Sequence, residues 1–186
     1  METIRKDKHY TAADYASWDD NERYELIDGV PYKMMSPAPS KAHQSILLEL
    51  AGQLRDFLKG KACRVFIAPF DVFLNLAGSD DIVVQPDIVV ICDKSKLDDK
   101  GYKGVPDFVA EILSPSTAGY DRVIKFNTYL RAGVREYWIV DPDSRTVQVN
   151  LMEAGKYVAN AYADADIAPV HVLKGCEIIL SDVFAE

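Results

Sequence analysis

The sequence is poor in the features that mark several common protein classes. Its 186 residues include only three cysteines, Cys63, Cys92 and Cys176, an odd number spread far apart. They argue against a disulfide framework and read as buried thiols of a reducing compartment, so the cytoplasm is the expected location. No apolar run approaches the roughly 18 residues of a membrane-spanning helix, and Met1 to His9 is charged without an apolar centre. Neither a membrane span nor a secretory signal is expected. Positive charge is in deficit, with 21 Lys and Arg against 29 Asp and Glu and a net charge of −8. A polycation that coats nucleic acid is therefore excluded, and any such contact must be local or assisted by metal. A glycine-rich dinucleotide fingerprint, a phosphate loop ending in Gly-Lys-Ser or Gly-Lys-Thr, a paired-Cys zinc site and a His-Glu-x-x-His helix are all missing. Ser114 lies outside any Gly-x-Ser-x-Gly elbow and only His9, His43 and His171 could partner it, which disfavours a serine hydrolase.

What is there is ordinary globular material, 48% hydrophobic and 27% charged, with no repeat, low-complexity tract or long linker. A single domain over 1–186 is expected, with a core of about 20–142 and a C-terminal β extension of about 143–186. Thr11 should cap a short helix ending near Trp18, and Asp28-Gly29 between Tyr24–Ile27 and Val30–Met34 should turn a hairpin. Ser36 to Ser40 reads as a loop. Ile46, Leu47, Leu50, Leu54, Phe57 and Leu58 recur at helical spacing from Lys41 to Leu58, with Gly60 as the stop. Strand character follows from Arg64 to Leu76, Ile82 to Cys92 and Asp107 to Leu113, the second holding the continuous apolar run Ile88–Ile91 of a central strand. Asp93 to Gly104 reads as a helical turn and loop, and its lysines as a solvated face. Ser114 to Thr117 breaks the third strand and leads into a helix from about Ala118 to Arg131. Glu136–Val140 is a further strand, in which Tyr137 and Trp138 read as core, and 146–151, 157–162 and 177–180 are shorter ones. This order predicts an α/β fold, a mixed β-sheet flanked by α-helices with additional C-terminal strands.

Acidic residues inside apolar strands carry the functional signal, because a buried carboxylate is costly unless paired or metal-bound. Asp87 begins the strand Ile88–Ile91, and Glu111 sits late in Phe108–Leu113. If these strands are neighbours the two carboxylates meet at the sheet's edge, where a cation would relieve their repulsion. Hard oxygen ligands favour Mg²⁺ or Mn²⁺, with waters and a substrate phosphate completing the shell. Lys125, on the following helix with Asp121 and Tyr129 one turn to either side, could bring its ammonium to such a site, and Glu25 in the hairpin could join it. The competing reading of Asp121 and Lys125 is an ordinary solvent-exposed i,i+4 pair.

Glu25 in Tyr-Glu-Leu-Ile-Asp-Gly, Pro39-Ser40 with His43-Gln44, Val84-Gln85-Pro86-Asp87, Glu111 to Thr117, Asp121 with Lys125, and Gly133 to Pro142 together resemble the Uma-two (Uma2) family of restriction-endonuclease-like proteins, from about Tyr10 to Leu180. That family falls in the PD-(D/E)XK nuclease superfamily, so the resemblance implies a restriction-endonuclease-like fold and an acidic, metal-dependent phosphodiesterase site acting on DNA. Pro86-Asp87 matches the superfamily's Pro-Asp and Glu111 its second acid. Leu113 stands where the pattern wants lysine, so that role passes to Lys125, which would position the nucleophilic water. Asp87, Glu111 and Glu25 become the expected Mg²⁺ (or Mn²⁺) ligands, and Gln85 and Tyr129 auxiliary groups. His43 reads as a helix starter, while Arg122, Arg131 or Lys33 would have to supply a basic cleft. Duplex cutting often uses two active sites, which brings a homodimer into the expectations, with Tyr157-Val158 and Ile178–Leu180 as candidate interface strands. The alternatives are a catalytically silent binding or assembly module on the same fold, and a metal-dependent phosphohydrolase of RNA or nucleotides.

Overall fold

The computed structural model describes residues 4, 7–19, 22–34, 39–74, 79–114 and 119–185. Helix α1 (Ala12–Tyr15) opens with a capping box in which Thr11 and Asp14 bond reciprocally. Strands β1 (Tyr24–Ile27) and β2 (Val30–Lys33) are joined by Asp28-Gly29, whose φ values of 51° and 71° are those a tight primed turn demands. Ser40 caps helix α2 (Lys41–Leu58), its hydroxyl accepting from the His43 N–H at 3.1 Å, and Ile46, Leu47, Leu50, Leu54 and Leu58 form the buried stripe. Most of the expected Ser36–Ser40 loop, and the Pro115 to Ala118 part of the expected break and helix start, lie outside the described residues.

Two of the expected strand runs are each split. Arg64 to Leu76 becomes β3 (Arg64–Ile67) and β4 (Val72–Phe73), and Ile82 to Cys92 becomes β5 (Val83–Val84) and β6 (Ile88–Ile91). Pro69 and Pro86 sit at the breaks, where a residue without an N–H cannot continue a ladder. The segment after Cys92 holds a 3-10 turn (Lys94–Lys96) and then two short strands, β7 (Leu97–Asp98) and β8 (Gly101–Lys103), where a helical turn and loop were expected. Its lysines are solvated as expected, Lys96 and Lys103 pairing with Asp93 at 3.6 Å and Asp98 at 2.7 Å. After β9 (Phe108–Ile112), a wide π-type turn (Tyr120–Lys125) runs into α3 (Phe126–Ala132) and β10 (Glu136–Asp141). Strands β11 (Thr146–Glu153), β12 (Lys156–Ala163), β13 (Ile167–Val170) and β14 (Cys176–Ile179) and helix α4 (Leu180–Val183) complete the chain.

The main mixed sheet runs β12-β11-β10-β9-β6-β3, with β9 and β10 parallel across the α3 crossover, and a second sheet runs β2-β1-β5-β4-β8-β7. Strand alternation divides the main sheet between two cores. Ile88, Val90, Phe108, Ala110, Ile112, Trp138 and Val140 pack with α2, the β13–β14 hairpin and α4. Val89, Ile91, Val109, Tyr137 and Ile139 face the second sheet and Tyr129 of α3. Tyr137 and Trp138 are thus core, as their apolar surroundings predict. The C-terminal strands β11 and β12 are hydrogen-bonded onto β10 and extend the main sheet.

Cys63 and Cys92 form a disulfide, which corrects the expectation of three free thiols; Cys176 is buried and free. Antiparallel pairing of β3 with β6 sets Arg64 opposite Ile91, and so brings the flanking cysteines to a Cα separation of 3.9 Å despite a sequence separation of 29. The thiol argument for a reducing compartment therefore fails for this pair. Among the described residues no helix is long and apolar enough to cross a membrane.

Glu136, which no sequence signal marked, is wholly buried in β10. It accepts hydrogen bonds from Trp138 Nε1 at 2.7 Å and from the Val172 N–H at 2.8 Å, tying the C-terminal hairpin to the main sheet. Burial pushes its carboxyl up, against the lowering effect of those bonds. Glu136→Ala leaves both donors without an acceptor and is expected to lower folding stability by about 1–3 kcal/mol. A urea midpoint equal to that of wild type would overturn this role.

Candidate acidic site

The acids converge because of strand register. β6 and β9 pair antiparallel with Ile88 opposite Ala110, so the next step of the ladder sets Asp87 opposite Glu111. Both lie two residues from strand neighbours that face the second sheet, Val89 and Val109, and share that face. Pro86 ends the ladder there and leaves Asp87 at the sheet's margin, with 19% of its side chain exposed. Asp87 Oδ2 accepts from the Ile112 N–H at 2.8 Å and lies 3.3 Å from His43 Nε2.

Glu25 reaches the same place through the second sheet, where Leu26 of β1 opposes Val83 of β5. Its Oε1 accepts from the Gln85 N–H at 2.7 Å and its Oε2 from the Tyr120 hydroxyl at 2.9 Å. The wide turn Tyr120–Lys125 supplies the remaining groups: five-residue spacing turns Tyr120 and Lys125 to one side, and four-residue spacing adds Asp121 and Tyr129. Lys125, only 2% exposed, sits 3.0 Å from Glu25 Oε1, 2.9 Å from Glu111 Oε1 and 3.8 Å from Asp121 Oδ1. The Tyr129 hydroxyl donates to Glu111 Oε1 at 2.8 Å. The solvent-exposed reading of the Asp121–Lys125 pair is corrected, since both side chains are buried.

Three buried carboxylates, Glu25, Glu111 and Asp121, thus surround one ammonium, with Asp87 at the margin. Burial raises the Glu111 carboxyl well above the usual range; Lys125 pulls it down, but Asp87, Asp121 and Glu25 push it up again. Burial works against the Lys125 ammonium, yet Glu111 and Glu25, with Tyr129 and Asp121, outweigh it and hold its pKa well above the ordinary lysine value. Burial pushes the Tyr129 and Tyr120 hydroxyls up as well, so both remain hydrogen-bond donors. The bond to Asp87 raises the His43 imidazole against the opposing effect of burial.

Among the described residues no three His, Cys, Asp or Glu side chains form a ready metal cluster. The donor set is smaller. Asp87 Oδ1 makes no hydrogen bond among the described residues, and Glu111 Oε2 has only the Asp87 N–H at 3.4 Å. Two carboxylate oxygens beside a partly open margin suit Mg²⁺ or Mn²⁺, which keep several waters and add a substrate phosphate. Both oxygens of Glu25 already accept hydrogen bonds and Oε1 also lies against the ammonium, which makes Glu25 the anchor of Lys125.

The structure brings Asp87, Glu111, Lys125 and Glu25 together. Gln85 joins them by its backbone, while its side chain accepts from Arg23 and donates to Asp71. Arg122, Arg131 and Lys33, the side chains expected to supply a basic cleft, pair with Asp141 at 2.8 Å, Asp28 at 2.9 Å and Glu22 at 3.0 Å. His43 starts its helix and also lines the site, and Tyr120 enters it unforeseen. Only the i,i+5 spacing of Tyr120 and Lys125 could have signalled the latter.

A family model, Uma2, described as "Putative restriction endonuclease", matches residues 12–181. Among curated proteins, "Uncharacterized protein slr1290" of Synechocystis is 30% identical over 141 residues, 74% of this chain and 70% of that protein. A second Synechocystis protein, "Uncharacterized protein sll1609", is 27% identical over 146 residues, 76% and 80% of the two chains. A crystal structure from Anabaena variabilis, described as a "putative nuclease belonging to DUF820", superposes with a TM-score of 0.76 at 20% identity over 94% of this chain and 97% of that one. At that identity the likeness is one of fold.

Proposed function

The chain belongs to the Uma2 family, described as "Putative restriction endonuclease", and from that premise we propose that it is a metal-dependent endonuclease hydrolysing phosphodiester bonds of DNA. The observation that carries this reading is the convergence of Asp87 and Glu111, each with an oxygen left open, in front of a buried Lys125. Asp87 and Glu111 would hold Mg²⁺ or Mn²⁺, which when bound polarises the phosphodiester and acidifies an attacking water. The chain's own groups prepare that site. Ile112 N–H fixes Asp87 Oδ2. Tyr129 and Lys125 take Glu111 Oε1 and leave Oε2 facing Asp87. Glu25 fixes Lys125 from behind. Lys125, expected from sequence to position the water, therefore acts through Glu111, orienting its carboxyl and favouring the charged form against the opposing effect of burial. His43 Nε2, beside Asp87, can hold or release a proton at the open margin. A cytoplasmic location belongs to the same reading.

The test needs no guess about the target sequence. Mn²⁺ titrated into the wild type and Asp87→Asn, with and without a DNA oligonucleotide, should show saturable binding only in the wild type. Mg²⁺-dependent cleavage of DNA should disappear in the same variant while the thermal melt survives. Absence of differential binding even with DNA present overturns the proposal in favour of a catalytically silent module, and cleavage confined to RNA would reassign the substrate.

A further inference from the structure

Strand β12 is the outer edge of the main sheet, and it lacks the devices that normally block an edge. Its eight residues, Lys-Tyr-Val-Ala-Asn-Ala-Tyr-Ala, contain no proline and one charge, at the first position. The hairpin from β11 turns at Ala154-Gly155, with φ values of 48° and 80°, a two-residue primed turn that starts the inward-bonded positions at Lys156. Hydrogen-bonding direction alternates along an antiparallel ladder. Tyr157, Ala159, Ala161 and Ala163 therefore point their N–H and C=O groups away from β11. Ala163 shows this directly, because its N–H and C=O are both taken by Asp166, through Oδ2 at 2.7 Å and the backbone N–H at 2.9 Å. Tyr157, Ala159 and Ala161 keep outward donors and acceptors with no ladder partner among the described residues.

We infer that β12 pairs antiparallel with β12 of a second copy of this chain about a two-fold axis at Ala159, joining two six-stranded sheets into one. This proposal stands independently of the nuclease reading. An axis at Ala159, the middle one of the three outward residues still open among the described residues, is the one that lets Tyr157, Ala159 and Ala161 all pair, because Ala163 is already taken by Asp166. Tyr157 then opposes Ala161 of the second copy, a ring beside a methyl. That ring is already fixed, packing on Phe126 with its hydroxyl bonded to the Val134 carbonyl at 2.9 Å. Exposed Val158 comes to oppose Asn160 across the axis, and Lys156 to oppose Tyr162. Charge selects the direction. Lys156 opens the strand and Asp164 follows its end, so antiparallel pairing sets each Lys156 diagonal to the other copy's Asp164, whereas parallel pairing would set like ends together. Asp164 already receives Arg145 on Oδ2 at 2.8 Å. The contact is small for a stable dimer, so association should be concentration-dependent in the micromolar range.

Sedimentation equilibrium of the full chain should show reversible dimerisation. Ala159→Pro removes an outward N–H at a position where an edge strand tolerates proline, and should leave only monomer. Ala161→Arg fills the space opposite Tyr157 and should do the same by a different route, so a folding failure of the proline variant does not remove the test. Hydrogen exchange should show amides of Tyr157, Ala159 and Ala161 protected at high concentration and open at low. A wild type that stays monomeric at every concentration, or a dimer indifferent to both substitutions, overturns the inference.

Discussion

Lys125→Met is expected to cost about 3–5 kcal/mol of folding stability, because removing one partner of a buried ion pair strands the other. Here one ammonium serves two buried carboxylates at once, Glu25 at 3.0 Å and Glu111 at 2.9 Å, with Asp121 3.8 Å away. Against a typical total of about 5–15 kcal/mol, that loss brings the protein close to unfolding at ordinary temperature. A neutral methionine of similar length isolates charge from packing, so little of the loss can be assigned to a cavity. The cause is then tested by rescue: adding Glu25→Gln and Glu111→Gln to Lys125→Met should restore part of the stability, since the stranded carboxylates are gone. Salt should change the loss little, the cluster being shielded from mobile ions. Urea unfolding at pH 7 measures all of this, and a loss under about 1 kcal/mol would mean the cluster is hydrated and weakly coupled.

How much of this could be read beforehand depended on how local each feature is. The α2 stripe, the Asp28-Gly29 turn and the Ile88–Ile91 strand were legible because neighbours within a few residues decide them. The second sheet was not, because its strands are two to four residues long and pair across the sequence, β4 with both β5 and β8. The Cys63–Cys92 bond needed the β3–β6 register, and nothing within either segment announces it. At the site, Asp87 and Glu111 stood out because a carboxylate in an apolar strand requires compensation wherever it lies. Lys125 was ambiguous, since i,i+4 spacing with Asp121 describes a surface pair as well as a buried one, and only docking of the wide turn against β9 decides. Glu25 was found, but its engagement by Gln85, Tyr120 and Lys125 is a fact of three elements meeting.

Glu111→Gln should separate activity from stability. The glutamine oxygen can still accept from Lys125 and Tyr129, while the amide replaces an Oε2 whose only hydrogen-bond partner among the described residues is the Asp87 N–H at 3.4 Å, so the fold loses little. What disappears is one unit of surplus negative charge in a buried cluster, and with it one of the two open metal oxygens. On the proposed reading, cleavage should fall about a thousandfold, the size of several kcal/mol of lost transition-state stabilisation. The pH dependence follows from the raised Glu111 carboxyl. In the folded chain the proton is held at pH values where the unfolded chain has released it. Stability from this group is therefore fully present below the ordinary carboxylate range and is lost as pH rises through the folded value. Glu111→Gln keeps its neutral form throughout, so its stability relative to wild type should increase with pH across that window, by at most about 1.4 kcal/mol per unit. Metal affinity of the wild type should rise over the same interval, since the ligand must lose its proton to bind. Denaturation midpoints of both proteins from pH 4 to 9, with Mn²⁺ titrations at each pH, check the two slopes together. If Glu111→Gln instead lost stability relative to wild type as pH rose, the carboxylate would be stabilised in the fold, and the surplus charge that recommends a cation at Asp87 and Glu111 would not exist.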